Sequence, residues 1–246
     1  MSYNPIFYDL LNRVENGHWW FVSRLNLILW CLEEKVHPFD NFLEIGCGTG
    51  FVLTGISRHF QTTTLHGTEF LEEGLVYARQ RIPSAKLQQL DALNMKDNLK
   101  YDAIGAFDVI EHIENDKLVL CNMFNALKKG GSLVISVPQH KWLWSETDVY
   151  AGHARRYTKN ELQKKVKQTG LEVIYSTSFT SLLLPLMLIN RISLRFKKFD
   201  PIQEFLIPPY LNWFLGKIMN IEKIFIRLGI IFPFGGSLLL VARKPL

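Results

Sequence analysis

Three glycines alternate with other residues directly after a short apolar segment. The segment LEIGCGTG covers residues 43–50 and places Glu44 before Gly46, Gly48 and Gly50. Glycine tolerates positive φ angles and lets a ligand come close to the backbone, and a helix that starts here offers free amide donors in its first turn. The segment therefore predicts a binding loop for a nucleotide-like ligand.

Two further acidic residues follow the next two predicted strands. Glu69 lies 19 residues beyond Gly50, where a carboxylate can accept hydrogen bonds from both ribose hydroxyls, and Phe70 beside it can pack on an adenine. Asp91 follows the third strand. Ligands of open parallel sheets bind outside the carboxyl ends of the strands, so we expect these carboxylates to share a site with Glu44. Singly, each is equally well explained as a solvated residue at a strand end.

The glycine spacing argues against a dinucleotide fingerprint, which would need a third glycine at position 51, where this chain has Phe. GxGxG with a preceding Glu instead resembles motif I of the class I S-adenosylmethionine-dependent methyltransferases. YDAIGAFDVIEHI at 101–113 and KKGGSLVISVP at 128–138 resemble the next motifs of that family. GHARRYTKNEL at 152–162 extends the likeness toward quinone, glycan and small-molecule O-methyltransferases.

The resemblance implies S-adenosyl-L-methionine as cofactor and S-adenosyl-L-homocysteine as product. In the resembling family, an acidic residue at the position of Asp91 receives the adenine amino group. The residues that we expect to bind the cofactor are Glu44, Gly46, Cys47, Gly48, Gly50, Glu69, Phe70, Asp91, Ala92 and Asp108. The implied reaction is O-methylation of a small or lipid-linked acceptor, such as a quinone precursor or an envelope glycan intermediate.

Methyl transfer is an in-line displacement at a sulfonium carbon, so the protein must mainly align the reactants, exclude water and, for a hydroxyl acceptor, supply a base. A histidine titrates near neutral pH and can take up that proton. We predict His153 as the base, with His112 as the second candidate, and His140 also lies in the expected acceptor region. Alternatively, these are loop histidines that hold backbone carbonyls.

Five further side chains are predicted to contact the acceptor. Guanidinium groups grip carboxylates and phosphates in a bidentate manner, and exposed tryptophans can wall an apolar or sugar ligand. The alternatives are surface charge at the start of a helix and aromatic packing in the core. The predicted substrate-binding residues are Trp142, Trp144, Arg155, Arg156 and Tyr157.

Strand-like and helical patterns alternate between residues 41 and 137, which predicts βαβ units on a parallel sheet with helices on both faces. The segments LEVIYSTSF and GSLLLVAR supply two more strands near the end of the chain. We therefore expect an α/β, Rossmann-like class I methyltransferase fold with a mostly parallel, seven-stranded sheet. An N-terminal helical cap precedes this sheet, and a helical insertion precedes the last strand.

Four segments follow from these patterns. They are an N-terminal helical cap (1–40), a cofactor-binding methyltransferase core (41–180), an apolar helical insertion (181–234) and a final core strand (235–246). The insertion mixes LLLPLMLI and FLIPPYLNWFL with lysines and arginines. This mixture suits a helix at an anionic membrane surface or a pocket for a lipid-linked acceptor. It equally suits a cap against the sheet or against a second subunit, so a homodimer stays open.

The composition sets outer limits on function. The net charge of +5 does not require nucleic acid, and we expect no nucleic-acid partner, although it allows contact with an anionic membrane. The three cysteines lack metal-site spacing, so we predict no metal site and a reducing, cytoplasmic location, with contact to the inner face of the membrane left open. No signal peptide and no apolar run of the roughly 18 residues that a spanning helix needs are visible.

Two other functions stay open from the sequence. One is a membrane-associated protein that binds the cofactor without catalysis, since one fold hosts many roles. The other is a nucleic-acid methyltransferase, whose signature would be a continuous basic groove. A nicotinamide-dependent reductase is disfavoured by the glycine spacing.

Overall fold

A seven-stranded sheet forms the centre of the computed structural model, which describes residues 6–194 and 205–246. Along the sheet the strand order is β3-β2-β1-β4-β5-β7-β6, and only β7 runs against the others. This confirms the predicted Rossmann-like, mostly parallel sheet. The strands are β1 (Asn41–Ile45), β2 (Thr64–Glu69), β3 (Lys86–Gln89), β4 (Tyr101–Phe107), β5 (Leu127–Pro138), β6 (Glu172–Phe179) and β7 (Ser237–Arg243).

Helices cover both faces of the sheet, and 3₁₀ turns follow β3, β4 and β5. The helix before β5 ends at Ala126, because Leu127 already belongs to β5 and pairs with Tyr101. The helices are α1 (Ile6–Val14), α2 (Trp19–Cys31), α3 (Phe51–His59), α4 (Glu72–Arg81), α5 (Asp116–Ala126), α6 (Glu146–Tyr150), α7 (Lys159–Gln168), α8 (Leu184–Leu194) and α9 (Pro209–Arg227).

The start of α7 shows how the sequence sets a helix boundary. The hydroxyl of Thr158 accepts a hydrogen bond from the backbone N–H of Glu161 at 3.2 Å, and the Glu161 carboxylate accepts one from the backbone N–H of Thr158 at 2.9 Å. This reciprocal pair is a capping box, and it satisfies two amide donors that a helix N-terminus leaves open. Because α7 starts here, the preceding loop is held beside the end of β5.

The core consists of two apolar layers, one on each face of the sheet. Successive strand residues point to opposite faces, so Phe42 packs with α2, α3 and α9, whereas Leu43 packs with α5 and α7. Both side chains are fully buried. The two layers hold the strands in place and leave the carboxyl edge of the sheet for function.

The helices α8 and α9 lie between β6 and β7. Leu215, Met219 and Ile226 of α9 are buried in the layer that contains α2, while a second face of α9 is exposed. The predicted insertion thus packs on the core with part of its surface, and its residues 195–204 lie outside the described part of the chain. Among the described helices, none has both the length and the apolar composition that crossing a bilayer requires.

A buried carboxylate ties α9 to the turn after β6. Glu222 accepts hydrogen bonds from the backbone N–H groups of Thr180 at 2.6 Å, Ser181 at 2.7 Å and Leu182 at 2.7 Å. Burial raises the pKa of Glu222, against the opposing effect of these three donors. The carboxylate replaces the water that the three amides would otherwise bind.

We predict that Glu222→Ala lowers the free energy of unfolding by about 3 kcal/mol, because three buried amides lose their acceptor. Urea unfolding followed by circular dichroism measures this change. The exposed strand residue Glu172 is the control, and Glu172→Ala should stay within about 0.5 kcal/mol of the wild type. Equal stability of the two variants would contradict the bracing role of Glu222.

Candidate active site

The carboxyl ends of β3, β2, β1 and β4 lie side by side, since these strands are parallel neighbours. Glu69 is the last residue of β2, Asp108 follows β4 directly, and Asp91 comes two residues after β3. Glu44 is the fourth residue of β1. The topology therefore brings the predicted acidic residues to one edge of the sheet.

The glycine loop connects β1 to α3. Gly46, Gly48 and Gly50 all have positive φ angles, of 66°, 52° and 77°. A Cβ on Gly46 would meet Val109 Cγ2 at 2.5 Å, whereas a Cβ on Gly48 would meet no protein atom within 4 Å. Gly46 is thus required for packing, and Gly48 leaves the backbone open to a ligand, as the loop of a nucleotide-like cofactor needs.

Glu69 reaches across the edge to this loop. Its carboxylate accepts hydrogen bonds from the backbone N–H of Gly48 and of Phe70, both at 2.8 Å, and from the Tyr8 hydroxyl at 3.2 Å. The side chain of Phe70 is 58% exposed. A buried carboxylate beside an open glycine and an exposed ring form a surface that fits an adenosine-containing ligand.

Glu44 and Cys47 lie below the loop and are buried. Burial raises the pKa of the Glu44 carboxyl well above its usual range, and its Oε2 has no hydrogen-bond partner within the described residues. Burial likewise raises the pKa of the Cys47 thiol, with a further rise from the charges of Glu44 and Glu69. The thiol is therefore protonated, and any role of Cys47 in binding falls to its backbone.

Asp91 caps the short 3₁₀ turn that follows β3. Its Oδ1 accepts a hydrogen bond from the backbone N–H of Leu93 at 2.9 Å, and its Oδ2 accepts one from the Asn94 side chain at 3.2 Å. Ala92 is buried in the same turn. The carboxylate is partly exposed and lies on the β3 side of Glu69.

The helix α1 and the residue that follows it contact the glycine loop and α4. The sequence predicted no role for the side chains that make these contacts. Glu15 is buried, accepts a hydrogen bond from the Thr49 hydroxyl and forms an ion pair with Arg81. Arg81 also donates to the side-chain oxygen of Asn12 at 2.7 Å. These contacts join residues more than 30 positions apart, so no local sequence pattern could predict them.

Asp108 is held in a left-handed conformation, with φ 58°, at the end of β4. It forms an ion pair with Arg24 of α2, and the Ser136 hydroxyl donates to it at 3.4 Å. The guanidinium of Arg24 also lies 4.5 Å from the ring centroid of Trp20. The predicted cofactor residue Asp108 therefore has a protein cation as its partner and connects the N-terminal helices to the sheet.

The two predicted catalytic histidines meet beside the same strand end. The rings of His112 and His153 are 4.6 Å apart and nearly perpendicular. Nδ1 of His153 lies 2.8 Å from Oδ1 of the buried Asp148. Burial, together with a smaller effect of the neighbouring His153, lowers the pKa of His112 to about 4.

Glu111 lies next to these histidines. It belongs to the segment 101–113, but the sequence predicted no role for it. It is fully buried, and burial together with the charge of Asp108 raises its pKa well above the usual range. The metal-binding atoms of Glu111, His112 and His153 all lie within 4.8 Å of one another. In the sequence, the adjacent pair Glu111-His112 is the visible part of this cluster. The third residue, His153, lies 41 positions after His112.

Arg156 and Tyr157 have internal partners instead of a ligand. Arg156 donates to Asp148 at 2.7 Å and to the Gln139 carbonyl at 3.1 Å, and it is buried. The buried Tyr157 hydroxyl donates to Asp116 at 2.7 Å. Their polar groups therefore hold the loop between β5 and α7, and contact of either side chain with an acceptor stays a prediction.

Arg155 is bound to the segment after β4. It donates to the backbone carbonyl of Ile113 at 2.6 Å and forms ion pairs with Glu114 at 3.1 Å and Asp116 at 3.2 Å. The guanidinium is therefore engaged in joining this loop to α5. A grip on a substrate anion would require it to leave these partners.

The predicted aromatic wall lies on the β5 side of the site. Trp142 is 54% exposed and stacks on His140 with 4.8 Å between ring centroids, and Trp144 is 41% exposed. A cavity of about 420 Å³ adjoins this region and is lined by Gln139, His140, Thr158, Lys159, Asn160, Ile231, Pro233 and Phe234. Exposed aromatics and an adjoining cavity are features of a binding surface for an organic molecule.

Comparison with known proteins places this fold in a family. Residues 12–176 match the family described as methyltransferase domain. The ubiquinone biosynthesis O-methyltransferase of Rickettsia canadensis is 28% identical over 135 residues, which cover 54% of this chain and 51% of that enzyme. The chain thus spans about half the length of this curated relative.

Two solved structures show the fold over nearly the whole chain. The [4+2]-cyclase SpnF has a TM-score of 0.65 at 16% identity and covers 97% of this chain and 93% of its own. Phosphoethanolamine N-methyltransferase 2 of Haemonchus contortus, in complex with S-adenosyl-L-methionine, has a TM-score of 0.60 at 18% identity, covering 98% of this chain and 60% of its own. The chain therefore belongs to the methyltransferase domain family, in the class I group whose cofactor is S-adenosylmethionine.

Proposed function

We propose that this protein transfers the methyl group of S-adenosylmethionine to a hydroxyl oxygen of a small or lipid-linked acceptor. The observation that carries the proposal is the meeting of His112 and His153 beside β4, on the strand edge that also holds the glycine loop. One structural relative is named as a cyclase, so the fold by itself does not decide the reaction. A pair of imidazoles beside the cofactor edge favours proton removal from an acceptor.

We assign the cofactor contacts to the residues around Gly48, where the glycine loop is open. In this proposal Gly48 lets the cofactor approach the backbone, Glu69 accepts the ribose hydroxyls, and the exposed Phe70 packs on the adenine. Asp91 and Ala92 border the adenine end, beside β3. Glu44 and Asp108 support the loop from below and from the β4 side.

His153 is the proposed group that acts on the acceptor hydroxyl, with His112 as the second candidate. The contact with Asp148 fixes the orientation of the His153 ring, which a base needs in order to meet the hydroxyl. Burial raises the pKa of Asp148, but the hydrogen bond from His153 and the charge of Arg156 outweigh this effect and hold it at about 2. Asp148 is therefore ionised at neutral pH.

A quinone precursor is the proposed acceptor class, with an envelope glycan intermediate as the other member of the same proposal. The R. canadensis relative acts in ubiquinone biosynthesis by its name. Trp142, Trp144 and the cavity beside His140 offer the apolar contact that an aromatic or lipid-bearing acceptor needs.

We propose further that α9 rests on an anionic membrane surface. One face of this helix is buried, yet the opposite face exposes large apolar residues at helical spacing, among them Tyr210, Trp213, Phe214, Ile221, Ile224 and Leu228. Lys217 lies within this face, with its Nζ 5.4 Å from the Trp213 ring centroid, and Lys223 and Arg227 lie to one side of it. The acidic residue of α9, Glu222, is buried against the turn after β6. A helix that is apolar on its exposed side and flanked by cations suits an anionic lipid surface.

Glu69→Gln should weaken S-adenosylmethionine binding at least about tenfold, because a charged acceptor for two hydroxyls is lost. Titration calorimetry on the purified chain measures the dissociation constant, with NADH as a ligand that should not bind. Glu73→Gln, on the exposed face of α4, should bind like the wild type. Unchanged affinity of the Glu69 variant would refute the ribose assignment.

Methyl transfer is tested with isotope-labelled S-adenosylmethionine and a set of phenolic quinone precursors, and in parallel with a membrane lipid extract. We expect label in an organic-soluble product, and a kcat for His153→Ala about 100-fold lower with little change in cofactor affinity. Full turnover by His153→Ala would remove that residue from the reaction. Label that stays in the cofactor with every acceptor would contradict the proposed reaction.

Membrane contact is tested by co-sedimentation with vesicles. We expect binding to vesicles that contain phosphatidylglycerol, weak binding to pure phosphatidylcholine, and a loss with rising salt. Trp213→Glu with Phe214→Glu should lower the affinity at least about tenfold, since two large apolar side chains no longer leave water. Leu118→Glu, exposed on α5 at the other face of the sheet, is the control. If the protein is a stable dimer in sedimentation and does not bind vesicles, the exposed face of α9 contacts a second copy of the chain and the membrane proposal is wrong.

A further inference from the structure

Three side chains with metal-binding atoms converge beside the end of β4. Glu111 and His112 belong to the 3₁₀ turn after this strand, and His153 comes from the loop between α6 and α7. Their candidate ligand atoms all lie within 4.8 Å of one another. Two imidazole nitrogens and one carboxylate oxygen therefore lie near enough to one another to share an ion.

The carboxylate in this cluster has no partner in the described part of the chain. Glu111 is fully buried, and neither Oε1 nor Oε2 has a hydrogen bond there. An unpartnered polar group in the interior costs free energy, more so when it is ionised. The carboxylate of Glu111 is thus suited to a cation that the protein itself does not supply at that position.

Neighbouring groups hold the two histidines in place. Asp148 contacts Nδ1 of His153 at 2.8 Å, and the backbone of Ala151 and Gly152 lies close enough to the His112 ring to oppose the fall in its pKa. Ala154 donates its backbone N–H to the carbonyl of Glu111 at 2.8 Å, which fixes the loop of His153 against the turn. Histidines that bind metals characteristically use their second ring nitrogen in such contacts.

The surrounding charges also favour a cation. Asp108, Glu111 and Asp148 are the carboxylates of this region, and Arg24 and Arg156 are the cations that act on Glu111. Each arginine is already paired, Arg24 with Asp108 and Arg156 with Asp148. A negative charge on Glu111 would therefore have no counter-ion in direct contact among the described residues.

We propose that Glu111, His112 and His153 bind a divalent transition-metal ion. Two imidazoles with one carboxylate suit ions such as Zn²⁺, Fe²⁺ or Mn²⁺ rather than Ca²⁺. Zinc–ligand distances are about 2.0–2.2 Å, so the three side chains draw together slightly around the ion. The prediction of no metal site rested on the cysteines, which form no CxxC pair and have no nearby histidine at a zinc-site spacing, and this ligand set contains no cysteine.

The ion deepens the proposed function, on which its catalytic role rests. Three protein ligands leave coordination positions for an acceptor hydroxyl, and a metal ion lowers the pKa of an oxygen bound to it. The hydroxyl proton passes to solvent water, the oxygen bonds to the methyl carbon, and the carbon–sulfur bond breaks to give S-adenosylhomocysteine. In this arrangement the ion takes over from His153 the activation of the acceptor hydroxyl, and the two imidazoles hold the ion.

The test starts from the full chain after treatment with a chelator and dialysis. We expect Co²⁺ to bind with one ion per chain, measured by visible absorption, and Zn²⁺ to displace it. Glu111→Gln should weaken Co²⁺ binding at least about 100-fold, and Asp148→Asn about 10- to 100-fold, since loss of a contact to a ligand costs that much. His59→Gln, outside the cluster and paired with Glu33, is the control.

Absence of Co²⁺ binding by the wild type, or equal binding by Glu111→Gln with an intact circular dichroism spectrum, would overturn the metal site. These measurements need neither cofactor nor acceptor, so they stand apart from the test of methyl transfer. With an acceptor in hand, we expect turnover to fall after chelation and to return with added Zn²⁺ or Mn²⁺. Full turnover by the stripped enzyme would overturn the activating role and leave His153 as the base.

Discussion

The ion pair between Arg24 and Asp108 is the interaction on which the site depends most. It joins α2 to the end of β4 and is mostly buried. The carboxyl edge also gathers Glu44 and Glu111, and for both of these buried acids the charge of Arg24 opposes the rise in pKa that burial causes. Without this guanidinium the edge would hold several buried carboxyl groups with little compensation, an arrangement that costs free energy.

Buried ion pairs also explain the position of the N-terminal helices. A second buried pair, Glu15 with Arg81, attaches α1 to the glycine loop and to α4. Together the two ion pairs place α1 and α2 over the carboxyl edge. The N-terminal segment therefore packs against the glycine loop and the end of β4 in addition to covering the sheet.

The other side of the site is built by the connection between β5 and α7. Asp148 orders this connection, because its carboxylate contacts His153 and Arg156 and caps α6 through Ser145. Tyr157 anchors the same segment through Asp116 of α5. The side chains that sequence reasoning assigned to an acceptor thus divide into those that shape the loop and those that border the open region.

The sequence by itself determined the sheet, the order of its elements and the position of the glycine loop. Strand periodicity, the glycine spacing and the capping box at Thr158 are local patterns, and local patterns can be read without the fold. The carboxylates at the strand ends could also be predicted, because parallel strands always place these ends at one edge.

The tertiary structure alone decided which side chains are partners. Arg24 meets Asp108 across 84 positions, and His153 meets Glu111 and His112 across about 40, so packing between distant segments sets each contact. Burial decided the rest, since Arg156 and Tyr157 look like ligands in sequence but lie inside with their polar groups paired. A residue type tells what chemistry a side chain can do, and only its surroundings determine whether that chemistry is available.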